Sequence, residues 1–283
     1  MLQAACEQAG LSAKGAELLR IGENAIWRLE SEPFVVRIAR DAERLPTVRK
    51  ELCVARWLTA GGIPAVGVAD VPRQPFVVDG HPVSFWVAVD GVGPVPTQDD
   101  VARLLKAFHS LGDCPCDLPE FDPFPVSRNR IASAHAIGEE DQKFLFGVCD
   151  EAEQILHDLE FALPRGAIHG DAHVANLLAD RGRVVLLDFE TSVRGPREWD
   201  LLPAAVGVDR FGRDESTYRS FTEAYGFDVR EWAGYPKLRR VRELTMTTWL
   251  AQNAGNGEDL YAEAKRRVSS LREGEFKRAW NFF

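Results

Sequence analysis

One stretch decides how this chain is interpreted: HGDAHVAN at residues 169–176, followed after an apolar run by DFE at residues 188–190. The apolar run, VVLL at residues 184–187, is typical of a buried strand. The two polar segments together fit the pattern His-x-Asp-x-x-x-x-Asn and then Asp-Phe-x. This spacing predicts a loop and the end of a hairpin strand arranged around one site.

Phosphoryl transfer from a nucleotide gives each polar residue of this pattern a role. A carboxylate at Asp171 would orient and deprotonate an acceptor hydroxyl. The amide of Asn176 and the carboxylate of Asp188 offer the hard oxygen ligands that Mg²⁺ prefers. The sequence therefore predicts a magnesium-dependent phosphoryl-transfer site.

Two other interpretations of the same residues stay open at this stage. A His-x-Asp segment in a loop is often a turn held by local hydrogen bonds. Alternatively His169, Asp171, His173 and Asp188 could bind Zn²⁺ or a metal pair, although that leaves Asn176 without a role.

The flanking sequence predicts an α+β fold, because strand patterns come first and helical patterns follow. Short β-rich runs and one helix fill the first 90 residues, which predicts a sheet of about five antiparallel strands. The runs are 18–21, 25–29, 34–38, 66–71, 76–78 and 83–89, and the helix covers 44–58. A Gly- and Pro-rich connection at 90–96 precedes a Thr97-x-x-Asp100 capping pattern and further helices, including one at about 139–159. We expect two domains, 1–90 and 91–283.

At this point the chain resembles the aminoglycoside phosphotransferase and choline kinase group, which are small-molecule kinases related to protein kinases. The resemblance runs from about Leu19 to about residue 205. It rests on residues 169–176, on 188–190 and on GPREWD at 195–200, with weaker support from LLKAFHSL at 104–111. It implies a bilobal protein-kinase-like fold, with a nucleotide-binding lobe at 1–90 and a catalytic and acceptor-binding lobe at 91–283.

The resemblance assigns roles in the second lobe. It implies Asp171 as the catalytic base, Asn176 and Asp188 as Mg²⁺ ligands, and His169 as support for the loop backbone. Asp200 matches a carboxylate that steadies the loop.

The resemblance also implies roles in the first lobe. Arg37 stands where such kinases have a lysine that holds the phosphates, and Glu51 is its partner on the following helix. Backbone groups near Val87 and Val89 would meet the nucleobase, and the turn at residues 22–24 would cover the phosphates. Only about seven residues separate Phe189 from Arg197, so we expect no activation loop with a phosphorylation switch.

Composition limits the partners. The net charge of −9 and pI near 5.3 argue against a nucleic-acid or membrane-surface binder. Residues 1–93 hold 10 basic and 11 acidic side chains, a net charge of −1, whereas residues 94–283 hold 24 basic and 32 acidic side chains, a net charge of −8. The negative charge of the second part mildly favours a cationic acceptor. Without a signal peptide or membrane span we expect a cytoplasmic protein, and five scattered cysteines read as reduced thiols.

The predicted function is thus transfer of the γ-phosphate of ATP or GTP, with Mg²⁺, to a hydroxyl of a small acceptor such as an aminoglycoside, amino alcohol or amino sugar. A nucleotide-binding pseudokinase that acts as a regulator is the alternative, motivated by Arg37 and by the single glycine of the 22–24 turn. The oligomeric state stays open. Candidate acceptor-wall residues are acidic or aromatic: Glu190, Asp209, Trp249, Glu258, Asp259, Trp280, Phe282 and Phe283.

Overall fold

The computed structural model describes residues 1–22, 24–274 and 279–283. Residue 23, in the turn predicted to cover the phosphates, lies outside the described residues. The first elements are α1 (Leu2–Ala9), β1 (Glu17–Ile21), β2 (Asn24–Arg28), β3 (Phe34–Ala39), α2 (Leu45–Ala60), β4 (Phe76–Val78), β5 (His81–Val87) and α3 (Gln98–Ser110). Then follow α4 (Phe124–Ser133), α5 (Glu139–His157), β6 (Gly166–Ile168), β7 (Leu177–Asp180), β8 (Arg183–Leu186), β9 (Val193–Gly195), α6 (Glu198–Phe211), α7 (Glu215–Tyr225), α8 (Tyr235–Asn253) and α9 (Glu258–Glu273).

The predicted α+β fold is confirmed. Strands β1 to β5 form one antiparallel sheet in the order β1-β2-β3-β5-β4. The capping box of Thr97 and Asp100 opens α3, and α5 follows where a helix was predicted. Among the described residues no helix is long and apolar enough to cross a membrane.

The period of two residues along β3 gives the sheet two different faces. Val36 and Ile38 are buried in an apolar cluster with Ala5 and Cys6 of α1. Arg37 lies between them in the strand and therefore points to the opposite face, where it pairs with Glu51 of α2. The sheet is thus covered by α1 on one face, while α2 lies on the face that presents Arg37.

The strand predicted at 66–71 is wrong. This segment forms only isolated bridges, one of Ala65 with Leu186 and one of Val68 with Trp86. Its hydrogen bonds are divided between two partners, since Val66 N donates to the Leu186 carbonyl and Val87 N donates to the Gly67 carbonyl. A segment that alternates between β8 and β5 cannot continue as a regular strand of either.

The chain divides into two compact units. The first comprises residues 1–119 and 166–193, and the second comprises 120–165 and 194–283. The boundary predicted near residue 90 does not coincide with this division, because the chain after it stays bonded to the first unit: Gly182 N donates to the Val92 carbonyl at 2.8 Å. In the second unit the helices enclose a fully buried ion pair of Arg210 with Glu243, at 2.6 Å.

The expectation of reduced thiols is wrong for two of the five cysteines. Cys53 on α2 and Cys116, in the segment after α3, form a disulfide with their Cα atoms 5.8 Å apart. The two residues are 63 positions apart in sequence, and α2 meets α3 nearby, where the ring of Trp57 lies edge-on to that of Phe108 at 5.6 Å between centroids. Cys6, Cys114 and Cys149 are free thiols.

Candidate active site

The buried ring of His169 fixes the loop that carries Asp171. Its Nε2 donates to the Leu187 carbonyl at 2.8 Å, and its Nδ1 accepts from the Asp171 backbone N–H at 3.3 Å. Because a carbonyl can only accept, the proton of the ring is assigned to Nε2. Both ring nitrogens are therefore used to join residue 171 to the end of β8.

Gly170 is required by the local backbone. Its φ is +86°, a conformation that L side chains rarely adopt, and a Cβ there would lie 2.3 Å from the Thr191 carbonyl oxygen. Thr191 also donates from Oγ1 to the His169 carbonyl at 2.9 Å. The close approach of residues 169–170 to Thr191 explains why residue 170 is a glycine.

Asn176 joins the loop to a tight hairpin. Its Nδ2 donates to the Asp171 carbonyl at 2.9 Å, and its own carbonyl accepts from Leu187 N at 2.9 Å. Strands β7 and β8 pair from Leu177 with Leu186 to Asp180 with Arg183. This register brings Asn176 and Asp188 to the same end of the hairpin, as the sequence spacing predicts.

Asp188 stands at a special backbone position. Its φ is +61° and its side chain is exposed, while the next residue, Phe189, is buried with its ring edge-on to His169 at 5.8 Å between centroids. An aspartate tolerates this conformation better than most residues. The buried phenylalanine anchors the segment and leaves the Asp188 carboxylate exposed.

The predicted pair of Arg37 and Glu51 is present. The guanidinium lies 2.9 Å from the carboxylate and 5.7 Å from the centroid of the Trp86 ring. Burial raises the pKa of Glu51 to about 7, Arg37 opposes the increase, and the nearby negative charges of Glu190 and Asp188 add to it. The pair therefore lies in the same electrostatic environment as Asp188.

Three contacts of the site were not anticipated from the sequence. His173 Nε2 lies 3.3 Å from Asp171 Oδ2, so this histidine is a neighbour of the predicted base. Glu190 is bound by Lys50 of α2, which donates to its carbonyl at 2.7 Å, and by Arg44, just before α2, which pairs with its carboxylate at 2.6 Å. Burial lowers the pKa of Lys50, and the charges of Glu51 and Glu190 oppose that change. Lys50 and Glu190 are 140 positions apart, and no spacing in the sequence indicates this contact.

The nucleobase contacts stay a prediction. Val87 ends β5 and Val89 lies two residues further along, both half-buried. The Val87 N–H donates to the Gly67 carbonyl at 2.8 Å, so that group is already used inside the protein. A nucleobase would have to use other backbone groups of this segment.

The alternative of a zinc or two-metal site loses its support. Both nitrogens of His169 make hydrogen bonds to the backbone, which leaves neither to bind a metal. In the part of the chain that the structure describes, no group of three or more His, Cys, Asp or Glu side chains could hold a metal ion.

Several predicted acceptor-wall residues have structural partners instead. Asp209 accepts from the Tyr235 hydroxyl at 2.6 Å and pairs with Arg239. Trp280 is buried beside the guanidinium of Arg210, 4.6 Å from its ring centroid. Trp249, Glu258, Asp259, Phe282 and Phe283 are exposed, and Asp200 is buried in α6. Their roles toward an acceptor, and that of Asp200 toward the loop, stay predictions.

Comparison with known proteins identifies the family of this chain and structures of similar fold. The sequence pattern of the phosphotransferase enzyme family (APH) matches residues 18–240. A microcompartment-associated aminopropanol kinase is similar in structure, with a TM-score of 0.73, 18% identity and coverage of 95% of this chain and 93% of that one. An amicoumacin kinase solved with AMP-PNP, Ca²⁺ and Ami is also similar, with a TM-score of 0.69, 14% identity and coverage of 94% of this chain and 90% of that one.

A choline/ethanolamine kinase family protein from Mesorhizobium loti is also similar, with a TM-score of 0.62, 19% identity and coverage of 95% and 92%. No match was found among curated proteins. The resemblance inferred from the sequence motifs is confirmed, since the matched residues span most of the chain. The chain belongs to the phosphotransferase enzyme family and has its protein-kinase-like fold.

Proposed function

We propose that this protein transfers the γ-phosphoryl group of ATP or GTP, with Mg²⁺, to a hydroxyl group of a small molecule. The observation that carries the proposal is the joining of Asp171, Asn176 and residue 187 by the hydrogen bonds of one loop and one hairpin. Phosphoryl transfer depends mainly on positioning and on neutralised charge, so a rigid arrangement of this kind suits it.

Asp171 acts as the base in this proposal. Its carboxylate is about two-fifths exposed, so it is accessible to an acceptor, while its backbone N–H and carbonyl are both bonded within the loop. The carboxylate orients the acceptor hydroxyl and takes its proton as the oxygen attacks the γ-phosphorus. The bond from the γ-phosphorus to the β-phosphate oxygen breaks at the same time, and ADP or GDP leaves. His173 Nε2 lies 3.3 Å from Oδ2 of this carboxylate.

Asn176 and Asp188 are the proposed ligands of Mg²⁺. The amide nitrogen of Asn176 is the donor to the Asp171 carbonyl, so the amide oxygen is the atom that can coordinate a cation. The exposed Asp188 carboxylate supplies a second hard oxygen at the same end of the hairpin. This donor set fits Mg²⁺, which is typically bound by one or two protein oxygens together with phosphate and water. When bound, the ion neutralises charge on the phosphate oxygens.

Arg37 is the proposed phosphate clamp. Glu51 and the Trp86 ring hold the guanidinium on the face of the sheet where α2 lies, and the Arg37 side chain keeps one-fifth of its surface exposed. A guanidinium can donate two parallel hydrogen bonds to a phosphate, which suits this role. The arginine is therefore compatible with an active enzyme and does not favour the pseudokinase alternative.

A small amine-bearing alcohol is the acceptor class that we propose. Similar structures include kinases named for aminopropanol and for choline or ethanolamine, and the acidic balance of residues 94–283 favours a cation. Mg-ATP and Mg-GTP should each be tested against amino alcohols, aminoglycosides, amino sugars and nucleosides. Acceptor-dependent release of ADP or GDP, together with a product heavier by one phosphoryl group, is the expected result. Nucleotide binding without transfer to any acceptor would instead favour the regulator.

Replacement of the base is the first prediction for this site. Asp171→Ala should lower kcat by about 10²–10⁴-fold, the usual contribution of general base catalysis, and leave Mg-nucleotide affinity within a few fold. Asp70→Ala, at an exposed aspartate of the same unit, is the control and should keep the wild-type kcat. A wild-type kcat in Asp171→Ala would contradict the assignment of the base.

A further inference from the structure

Helix α2 and the residue just before it contact the segment that carries Asp188, at two separate atoms of Glu190. Lys50 Nζ donates to the backbone carbonyl of Glu190 at 2.7 Å. Arg44, immediately before α2, pairs through Nη2 with Oε1 of the Glu190 side chain at 2.6 Å. The two bonds fix both the backbone and the side chain of a residue that lies two positions after Asp188.

The same helix also holds Arg37. Glu51, the residue directly after Lys50, accepts from the Arg37 guanidinium at 2.9 Å. Neighbouring residues of one helix turn are rigidly related to one another, because the helix backbone fixes their positions. One turn of α2 therefore connects the proposed phosphate clamp with the segment of the proposed metal ligand.

The 188–190 segment needs such support. Asp188 combines a φ of +61° with an exposed carboxylate, so its own side chain adds little to hold its backbone. Phe189 is buried and its carbonyl accepts from Ser192 N at 3.1 Å. Lys50 connects α2 to the main chain of this segment through its bond to the Glu190 carbonyl. Supporting contacts of this kind commonly influence how tightly a site binds its metal.

We infer that Lys50 is a positioning residue that holds the 188–190 segment so that the Asp188 carboxylate meets Mg²⁺ at the phosphates of the nucleotide. The inference rests on the proposed function for the identity of the ligand. Arg44 supports the same segment through the Glu190 side chain. The carboxyl group of Glu190 is thus an internal partner and is not available as the acceptor-wall group that its sequence position suggested.

A different role for Lys50 can be separated from this one by experiment. An ammonium group has three donors, and a direct contact of Lys50 with phosphate would use one of them. Such a contact would contribute to nucleotide affinity even without a divalent ion. A positioning role acts through Asp188 and therefore changes the dependence of nucleotide binding on Mg²⁺.

The test compares Lys50→Met with wild type by calorimetric titration of ATP and GTP at a series of Mg²⁺ concentrations. We expect the Mg²⁺ concentration for half-maximal nucleotide affinity to rise about tenfold, as loss of one charge-assisted hydrogen bond implies. Affinity for the metal-free nucleotide should stay within twofold. Arg49→Met, at an exposed basic residue on the same helix, is the matched control and should change neither value.

A second measurement needs no nucleotide. Hydrogen exchange of the backbone amides of residues 189–192 should be at least tenfold faster in Lys50→Met than in wild type or Arg49→Met. Glu190→Ala keeps the carbonyl that accepts from Lys50 but removes the partner of Arg44, so it should give a smaller increase. If Lys50→Met does not fold, Lys50→Arg replaces it, with smaller changes of the same sign.

Each result decides between the roles. An equal loss of affinity with and without Mg²⁺ would overturn the positioning role in favour of direct phosphate contact. Unchanged hydrogen exchange in residues 189–192 would overturn the claim that Lys50 holds this segment. Wild-type protein that binds no nucleotide would defeat the proposed function, and the exchange experiment would still show whether Lys50 fixes the segment.

Discussion

The glycine at position 170 shows how a single residue limits the form of the catalytic loop. Gly170→Ala should lower the free energy of unfolding by about 1–3 kcal/mol, because the new Cβ would meet the Thr191 carbonyl and because the backbone is strained. Urea denaturation measures the change. Gly112 has a φ of +89° with no heavy atom near its Cβ position, so Gly112→Ala isolates the backbone strain. Equal losses in the two variants would show that the contact with Thr191 adds nothing.

Ionisation of Glu51 should make nucleotide binding depend on pH. The pKa of Glu51 is raised to about 7 by burial, so its pairing with Arg37 strengthens as the pH rises from 6 to 8. We expect the affinity for Mg-nucleotide to increase over this interval, and Glu51→Gln should remove the increase. The charged groups that act on this carboxyl include those of Arg37, Arg44, Lys50, Asp188 and Glu190. An unchanged pH profile in Glu51→Gln would assign the transition to another group.

The raised pKa of Glu51 affects the stability of the fold in the opposite direction from its effect on nucleotide binding. The folded state holds the proton of Glu51 more tightly than the unfolded chain, in which the pKa of this carboxyl is near 4.5. Protonation of this group therefore stabilises the fold most below pH 4.5, and the contribution is lost as the pH rises through about 7. Binding and stability thus favour different protonation states of one residue.

At the scale of elements, the β7–β8 hairpin is held at its turn by Asp90. Oδ1 of Asp90 accepts from Val92 N at 2.8 Å and from Arg181 N at 3.1 Å, and these bonds lower the pKa of the carboxyl. Asp90→Ala should accelerate hydrogen exchange of both amides, whereas Asp90→Asn, which keeps an acceptor oxygen, should preserve their protection. If the alanine variant protects both amides as well as the wild-type protein does, the Asp90 side chain does not stabilise this turn.

Sequence patterns predicted those elements whose signals are local. The capping box at Thr97 and the spacing from Asp171 to Asn176 to Asp188 are signals within short stretches. The structure contains the capping box, and the register of β7 with β8 brings Asn176 and Asp188 to the same end of the hairpin. The contact of Lys50 with Glu190 spans 140 residues, and no periodicity reports such a contact. The strand expected at 66–71 failed for a related reason, since its hydrogen bonds are divided between distant partners. Long-range packing, not local preference, decided these features.

At the scale of the whole molecule, the bond between Cys53 and Cys116 should stabilise the fold. A cross-link between residues 63 positions apart restricts the unfolded chain, which is worth about 4 kcal/mol in the chain-entropy description. Reduction should lower the free energy of unfolding by about that amount, as measured in urea with and without a thiol reductant. The reductant should have no further effect on Cys116→Ser. Identical transitions of the wild-type protein in both conditions would show that the cross-link contributes no stability.

The first compact unit is made from two separate lengths of chain, residues 1–119 and 166–193. During synthesis on the ribosome, the sheet and α2 emerge well before the loop and hairpin that carry Asp171, Asn176 and Asp188. Until residue 193 has left the ribosome, the nascent unit exposes the surfaces that these later segments cover, including the polar groups that bond to Leu186 and Gly182. The catalytic segment is thus also the piece that completes the unit, so a nascent chain arrested before it would be a favoured substrate for chaperones and proteases.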